Sequence, residues 1–292
     1  MKNILILGSS GFIGRNLKEY FQEHTSYHVK APNHQELDLL QESEVKRYLK
    51  ANPADVVFHC AVFSAKTLSD EKYVLKNNLK LFYNLEKHHD LFGKMIYLGS
   101  GAEFDKRFDI CSVKESDIGK NIPDSPYGLA KYTIGRQIEY SENIYNFRIW
   151  GMFGKYEDWQ TTFLSGCCCK AVKGYPLSIR QDTVFDYLWI ADFCKIAEWA
   201  VEHKFLYHTY HLGSGRKVKL SELAGLIRKI SGKSLDIVIC REGVGKEYTA
   251  DSSRLLEEYG KEYTTPMEEA VADLYRWYEE NQNIIDMLKL IY

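Results

Sequence analysis

Asn3-Ile4-Leu5-Ile6-Leu7-Gly8-Ser9-Ser10-Gly11-Phe12-Ile13-Gly14, running on into Arg15-Asn16-Leu17-Lys18-Glu19-Tyr20-Phe21, decides the fold. Ile4–Leu7 is a short apolar run of the kind that forms a strand buried on both faces, and the stretch after Gly11 reads as an amphipathic helix. Between them lies G-x-x-G-x-x-G. Glycines permit the tight turn and let backbone N–H groups approach a pyrophosphate, which then rests on the positive end of the helix. A glycine motif alone is a weak signal, but a strand immediately before it and a helix immediately after supply the context that makes it specific. Gly8, Ser10, Gly11, Phe12, Ile13 and Gly14 are therefore candidate dinucleotide contacts.

Working outward, the first half alternates strand-like runs at Asn3–Leu7, His28–Lys30, Asp55–His59, Lys94–Leu98 and Tyr145–Ile149 with amphipathic stretches near 12–24, 41–51, 70–90 and 126–143. Right-handed crossovers turn such an alternation into an α/β doubly wound parallel sheet, with ligands beyond the carboxyl ends of the strands. The second half is mixed. Helices are expected at Asp158–Lys173, Ile190–His203, Lys219–Ser231 and Pro266–Leu290, and strands near Leu177–Ile179, Tyr210–Leu212 and Asp236–Ile239. The expected division is a dinucleotide-binding domain of residues 1–155 plus about 184–213, and a smaller mixed α/β substrate region of about 156–183 and 214–292.

An acidic residue about 20 positions past the glycine loop holds the ribose 2′-OH in many NAD-binding folds. Lys30-Ala31-Pro32-Asn33-His34-Gln35 offers none, Glu36 comes late, and Lys30 and His34 suit a 2′-phosphate. NADP(H) is favoured over NAD(H).

The chemistry is expected in Ser125-Pro126-Tyr127-Gly128-Leu129-Ala130-Lys131. Pro126 suits a helix's first turn, and the i to i+4 spacing puts Tyr127 and Lys131 on one face. A phenol has a pKa of about 10, and a neighbouring ammonium favours its anion, which suits proton exchange with a sugar oxygen. The same Y-x-x-x-K spacing recurs at Tyr83-Asn84-Leu85-Glu86-Lys87, within a helix expected to pack on the sheet, and is read there as a decoy. The loop Gly99-Ser100-Gly101 after the fourth strand can bring a serine hydroxyl beside Tyr127.

Together these residues resemble the extended short-chain dehydrogenase/reductase family, of NAD-dependent epimerase/dehydratase type, whose members modify nucleotide-activated sugars. The resemblance covers nearly the whole chain. Val56-Val57-Phe58-His59-Cys60-Ala61 is similar to the family's strand followed by H-x-A, and Asn78-Leu79-Lys80-Leu81-Phe82-Tyr83-Asn84-Leu85 to its N-V-x-G-T-x-N-L helix. Phe185-Asp186-Tyr187-Leu188-Trp189-Ile190-Ala191-Asp192 looks like R-D-F-V-H-V-D-D, and Tyr210-His211-Leu212-Gly213-Ser214-Gly215 like Y-N-L-G-x-G. Glu36-Leu37-Asp38-Leu39 is nearer the dehydrorhamnose reductase and fucose synthase branch, which implies that Asp38 lies by the adenine. The resemblance further implies that Tyr127 is the acid/base, that Lys131 binds ribose, that Ser100 bonds the reacting oxygen, and that Ala61 and Asn78 border the cofactor. A Rossmann domain, a smaller substrate domain and a homodimer are the implied assembly.

Departures narrow the transfer. After the fourth strand stands Ser100-Gly101-Ala102-Glu103, so Gly101 occupies a place where the catalytic hydroxyl can align. The T-D-E pair of 4,6-dehydratases is missing, leaving Glu103 as either an acid or a loop carboxylate. Phe185 replaces a frequent arginine, the natural fork for a diphosphate, so Arg180, Lys155 or Arg241 inherits that role or the nucleotide is held differently. His211, which replaces an Asn, and Cys111 are read as structural.

Composition agrees with a small-molecule enzyme. The 292 residues are 45% hydrophobic, which excludes a disordered or fibrous chain, and 38 Lys+Arg against 40 Asp+Glu give no field to attract nucleic acid or an anionic membrane. Seven cysteines without C-x-x-C pairing read as reduced thiols in a cytoplasm, and the adjacent Cys167, Cys168 and Cys169 cannot face one metal, so no metal is expected. The leading expectation is an NAD(P)-dependent reductase or epimerase of a nucleotide-linked keto-sugar. A 4,6-dehydratase retaining NAD and a non-catalytic NAD(P) sensor are the alternatives. Among the 21 Tyr and 14 Phe, Tyr156, together with Trp159 and Trp189, is placed where a sugar or base could stack.

Overall fold

The computed structural model describes residues 1–260 and 262–291, apart from the Ile291 side chain. Its elements in chain order begin with β1 (Asn3–Leu7), α1 (Phe12–His24), β2 (His28–Lys30), α2 (Glu42–Ala51), β3 (Ala54–His59), α3 (Glu71–Glu86), β4 (Phe92–Ser100), β5 (Ile110–Val113), α4 (Pro126–Ile138) and β6 (Ile144–Ile149). They continue with β7 (Met152–Phe153), α5 (Phe163–Lys173), β8 (Leu177–Asp182), β9 (Val184–Asp186), β10 (Leu188–Trp189), α6 (Ile190–Glu202) and β11 (Thr209–Leu212). The chain then forms β12 (Lys217–Lys219), α7 (Leu220–Ser231), β13 (Ile237–Val244), β14 (Tyr248–Ala250), α8 (Ser253–Tyr259), α9 (Met267–Glu280) and α10 (Met287–Ile291).

Six strands in the order β11-β6-β4-β3-β1-β2 make one sheet, parallel at every pairing. This is the doubly wound α/β sheet that the alternation predicts. Ile4, Leu5, Ile6 and Leu7 are all buried because both faces of the sheet are covered. Leu5, Leu7, Val57 and Met95 pack on one face with residues of α2, α3 and α4, among them Val45, Phe82 and Ile134. Ile4, Ile6, Phe58 and Ile96 pack on the other with α1 and α6, through Leu17, Phe21, Phe193 and Ala197. The late segment 190–212 thus returns to the first sheet, α6 covering it and β11 extending its edge.

A separate core gathers α5, α7 and α9 around β8, with Leu164, Cys168, Leu177, Ile227 and Leu274 fully enclosed. Short strands outside the sequence reading build a four-stranded sheet in the order β12-β9-β14-β5. It leans on a small cluster of Phe104, Ile110, Trp150 and Ala250, with Tyr248 against it. This cluster lies beside the end of β4, where Trp150 and Tyr248 crowd Gly101.

Candidate active site

The glycine loop closes on the loop after β3. Gly8 has φ +81, and a Cβ there would come within 2.6 Å of the Ala61 backbone N and Cα. At Gly14 a Cβ would run into the Gly8 carbonyl. Gly11 caps α1 without any side chain capping it, so the first-turn N–H groups keep their capacity for an anion. A cleft of about 300 Å³ lies over this loop, lined by Gly8, Ser10, Gly11, His34, Asp38 and Ala61. The donor-rich loop, the glycine cradle and the cleft at the strand ends fit the pyrophosphate and adenosine parts of a dinucleotide. Gly8→Ala is expected to place a methyl in a left-handed backbone against Ala61, weakening dinucleotide binding by about tenfold or more and lowering the melting temperature. Calorimetric titration of the variant with NADPH checks this.

Other expected contacts are distributed unevenly. The Phe12 and Ile13 side chains pack onto the core formed with α1 and α6, so any contact they offer is through backbone. Asp38 borders the cleft while accepting from Leu40 N at 2.9 Å. Asn78 is engaged within the protein. Buried in α3, its amide donates to Phe63 O and Val74 O at 2.8 Å each and accepts from Phe63 N at 3.0 Å. It clamps the loop that forms the cleft wall and is not among the cleft-lining residues. Of the two cations proposed for a 2′-phosphate, His34 borders the cleft, whereas Lys30 donates to Asn52 Oδ1 at 2.7 Å.

Tyr127 and Lys131 sit on α4, whose start is fixed by the Ser125 hydroxyl accepting from Gly128 N at 3.1 Å and by Pro126 in the first turn. Lys131 is 4% exposed; its Nζ donates to Leu98 O at 2.6 Å, lies 4.4 Å from the Tyr97 ring centre and 5.8 Å from that of Tyr127. Ser100 ends β4 and caps the one-turn helix Gly101–Glu103, its Oγ accepting from Ala102 N at 3.1 Å. Ser100 is among the groups that act on the Tyr127 phenol, and with Lys131 tied to Leu98 O the serine, tyrosine and lysine gather at the carboxyl end of β4.

Their electrostatics correct one expectation. The Tyr127 phenol is raised above its ordinary value, because desolvation outweighs the Ser100 hydrogen bond and Glu103 adds negative charge. Lys131 does not pull it down here, since its ammonium is tied to Leu98 O. Lys131 itself is lowered from 10.5 to about 8 by burial, against the opposing pull of Glu103 and the Cys60 thiol. A lysine with a folded pKa below its unfolded one leaves the unfolded chain binding more protons between those values. Its contribution to stability therefore rises with pH across that window. Wild type relative to Lys131→Met is expected to gain stability from about pH 8 to about pH 10, measured by urea unfolding at both; a constant or falling difference would refute it.

Glu103 is neither a free acid nor a loop carboxylate. It is fully buried, accepts from Arg148 Nη2 at 2.7 Å, Arg148 Nε at 2.9 Å, Asn146 Nδ2 at 3.1 Å and Ser100 N at 3.1 Å, and so forms the floor beneath the serine. Arg148 in turn meets His211 Nε2 at 2.7 Å, which accounts for His211 structurally.

Several substrate-side expectations also change. Trp159 is buried in the second core, Tyr156 carries the Arg15 guanidinium 3.6 Å above its ring, and Trp189 packs 5.1 Å from Phe153. Lys155 is paired with Glu19 at 2.7 Å, leaving Arg180 on β8 and Arg241 on the adjacent β13 as diphosphate candidates. Cys111, read as structural, is exposed on β5. In the second Y-x-x-x-K, Lys87 pairs with Glu42 at 2.7 Å on the surface, as a decoy should. The residue that sequence reading missed is Tyr248, whose hydroxyl fills the space that a side chain at Gly101 would take beside Ser100. It comes from a three-residue strand with no periodicity to announce it. Among the described residues no helix is long and apolar enough to cross a membrane, and no group of three or more His, Cys, Asp or Glu is placed to hold a metal.

A cradle for a dinucleotide beside a serine, tyrosine and lysine on a doubly wound sheet defines a class of nucleotide-dependent α/β proteins. The chain belongs to the NAD dependent epimerase/dehydratase family, whose family model matches residues 4–213. It is similar to the GDP-L-colitose synthase of Yersinia pseudotuberculosis, with 20% identity over 96% of this chain and 99% of that one. Among solved structures it resembles a GDP-L-fucose synthetase from Naegleria fowleri bound to NADP, with TM-score 0.84, 16% identity, and coverage of 97% of this chain and 95% of that one. It also resembles the UDP-glucose 4-epimerase of Thermotoga maritima with UDP-glucose, with TM-score 0.82, 20% identity, and coverage of 96% and 99%.

Proposed function

We propose that this chain is an NADP(H)-dependent reductase or an epimerase acting on a nucleotide-linked keto-sugar. The observation that carries the proposal is the gathering of Ser100, Tyr127 and Lys131 at the end of β4, at the carboxyl edge of the same parallel sheet whose first strand feeds the glycine loop and its cleft. Gly8, Ser10, Gly11 and the first-turn N–H groups of α1 would hold the pyrophosphate, Asp38 and Ala61 the adenosine side, and Lys131 the nicotinamide ribose. When bound, the dinucleotide supplies or accepts the hydride at the sugar carbon. Tyr127 gives its phenolic proton to the sugar oxygen in reduction and takes it back in the reverse direction. Ser100 donates to the same oxygen and stabilises the charge left on the Tyr127 phenolate. The raised Tyr127 pKa suits a proton donor at neutral pH. Residues 1–155 with about 184–213 form the dinucleotide unit in this reading, and about 156–183 with 214–292 the substrate region, in a homodimer in the cytoplasm.

Preference for NADP(H) is supported by His34 at the cleft and by the lack of an acidic residue at the end of β2, as well as by the NADP-bound fucose synthetase of similar fold. Releasing the dinucleotide that co-purifies, identifying it, and measuring exchange with added NADPH tests the reading. Exchangeable NADPH supports a reductase, tightly retained NAD+ an epimerase or the alternative 4,6-dehydratase. Stoichiometric binding with no turnover on any GDP- or dTDP-linked keto-sugar would favour a sensor and overturn it.

A further inference from the structure

Gly101 leaves vacant the side-chain position next to Ser100 where a second hydroxyl is expected, and the fold fills it from elsewhere. A Cβ at residue 101 would overlap the Tyr248 hydroxyl and crowd its ring and that of Trp150. Tyr248 enters from β14, which is in register with Ile110 of β5 and Phe185 of β9. Its ring packs 4.8 Å from Trp150 and 5.5 Å from Phe185, and it is half-buried at the end of β4. A serine hydroxyl has one hydrogen to give and two acceptor positions. At Ser100 one acceptor position is taken by Ala102 N, and the Tyr248 hydroxyl occupies the adjacent space that a side chain at 101 would fill.

We propose that Tyr248 donates its O–H to the second acceptor position of Ser100, so that the only hydrogen of Ser100 is directed at the Tyr127 oxygen and at the substrate oxygen that shares that place. Tyr248 is then a positioning residue, supplied by the substrate region in place of a side chain at 101. The inference rests on the reading of Tyr127 as proton donor. The charged and titratable groups around the two phenols are Glu103 beneath them, Arg148 beyond it, Lys106 with its Nζ 4.5 Å from the Tyr248 ring centre, and Lys131 and Tyr97 on the α4 side of Tyr127.

The test uses Tyr248→Phe, which removes one oxygen and keeps the ring on Trp150. Tyrosine labelled at Cζ reports the titration of Tyr127 by carbon NMR, its signal assigned by its loss in Tyr127→Phe. In Tyr248→Phe the ionisation constant of Tyr127 should fall about three- to tenfold, the effect of weakening one hydrogen bond to the anion. In a Ser100→Ala background the same change should have no effect. Turnover with NADPH and GDP- or dTDP-linked 4-keto-hexoses should show a kcat loss of similar size with KM held, again absent in the Ser100→Ala background. An unmoved Tyr127 titration in Tyr248→Phe, or effects that add to those of Ser100→Ala, overturns the proposal. Loss of turnover in Tyr127→Phe with an unmoved titration in Tyr248→Phe sinks the role of Tyr248 alone. A moved titration with full turnover in Tyr127→Phe sinks the functional reading and leaves the link between Tyr248 and Ser100 standing.

Discussion

Tyr127→Phe lowers turnover on a nucleotide-linked keto-sugar by roughly 10²–10⁴-fold, the usual contribution of a positioned proton donor. The substitution removes the only proton that the site can deliver through this side chain and leaves the ring against α4. The glycine loop, the Ala61 contact and the cleft at residues 8–11 lie apart from it, so dinucleotide affinity should stay within about twofold. Calorimetric titration with NADPH and steady-state rates on the same preparation separate the two quantities. Near-normal turnover would remove Tyr127 from the chemistry. Loss of both binding and turnover would mean that the ring supports the nicotinamide end, a packing role instead of an acid/base one.

The parts of this protein legible in its sequence are those whose physics is local. Ile4–Leu7 shows its burial by apolar continuity, Gly8 its turn by lacking a side chain, and Ser125-Pro126 the start of α4 by cap chemistry, so the sheet and the Tyr127/Lys131 face could be read in advance. What escaped depends on contacts distant in sequence. β7, β9, β10 and β14 have two or three residues each, too few for any periodicity, and they pair only with other short strands, β7 with β10 and β9 and β14 with β12 and β5. Asn78 matches a pattern associated with the cofactor, yet nothing local announces that its amide also clamps Phe63. The pull of Lys131 on Tyr127 was argued from spacing, and spacing is silent about the Leu98 carbonyl that holds the ammonium and the desolvation that dominates the phenol. Tyr248 lies 148 residues past Ser100 by numbering; the one trace of it in the sequence is the glycine at 101 that makes room for its hydroxyl.

Glu103 and Arg148 lead to the largest expected loss of stability. Their side chains are 0% and 1% exposed, and two glycines leave room for the carboxylate, since a Cβ at Gly99 or at Gly135 would overlap Glu103 oxygens. Arg148→Ala strands that carboxylate in a place water does not reach, with Asn146 and the Ser100 N–H as its remaining donors. Removing one partner of a buried pair costs about 3–5 kcal/mol. In a chain of this size that is a drop of roughly 6–20 °C in melting temperature. Glu103→Gln keeps the shape and the acceptor oxygen while removing the charge, and should cost less than Arg148→Ala, because a neutral amide beside Arg148 leaves hydrogen bonds imperfect while the guanidinium still has His211 and a carbonyl oxygen to meet. The pair does more than hold the fold, since Glu103 accepts from Ser100 N and sets where the serine hydroxyl stands. Turnover of Arg148→Ala should therefore fall even well below its melting transition. Scanning calorimetry of wild type and both variants decides the matter: an Arg148→Ala transition within about 2 °C of wild type would mean that water or a rearranged Asn146 compensates the carboxylate, and that the floor beneath Ser100 is not the rigid ion pair described above.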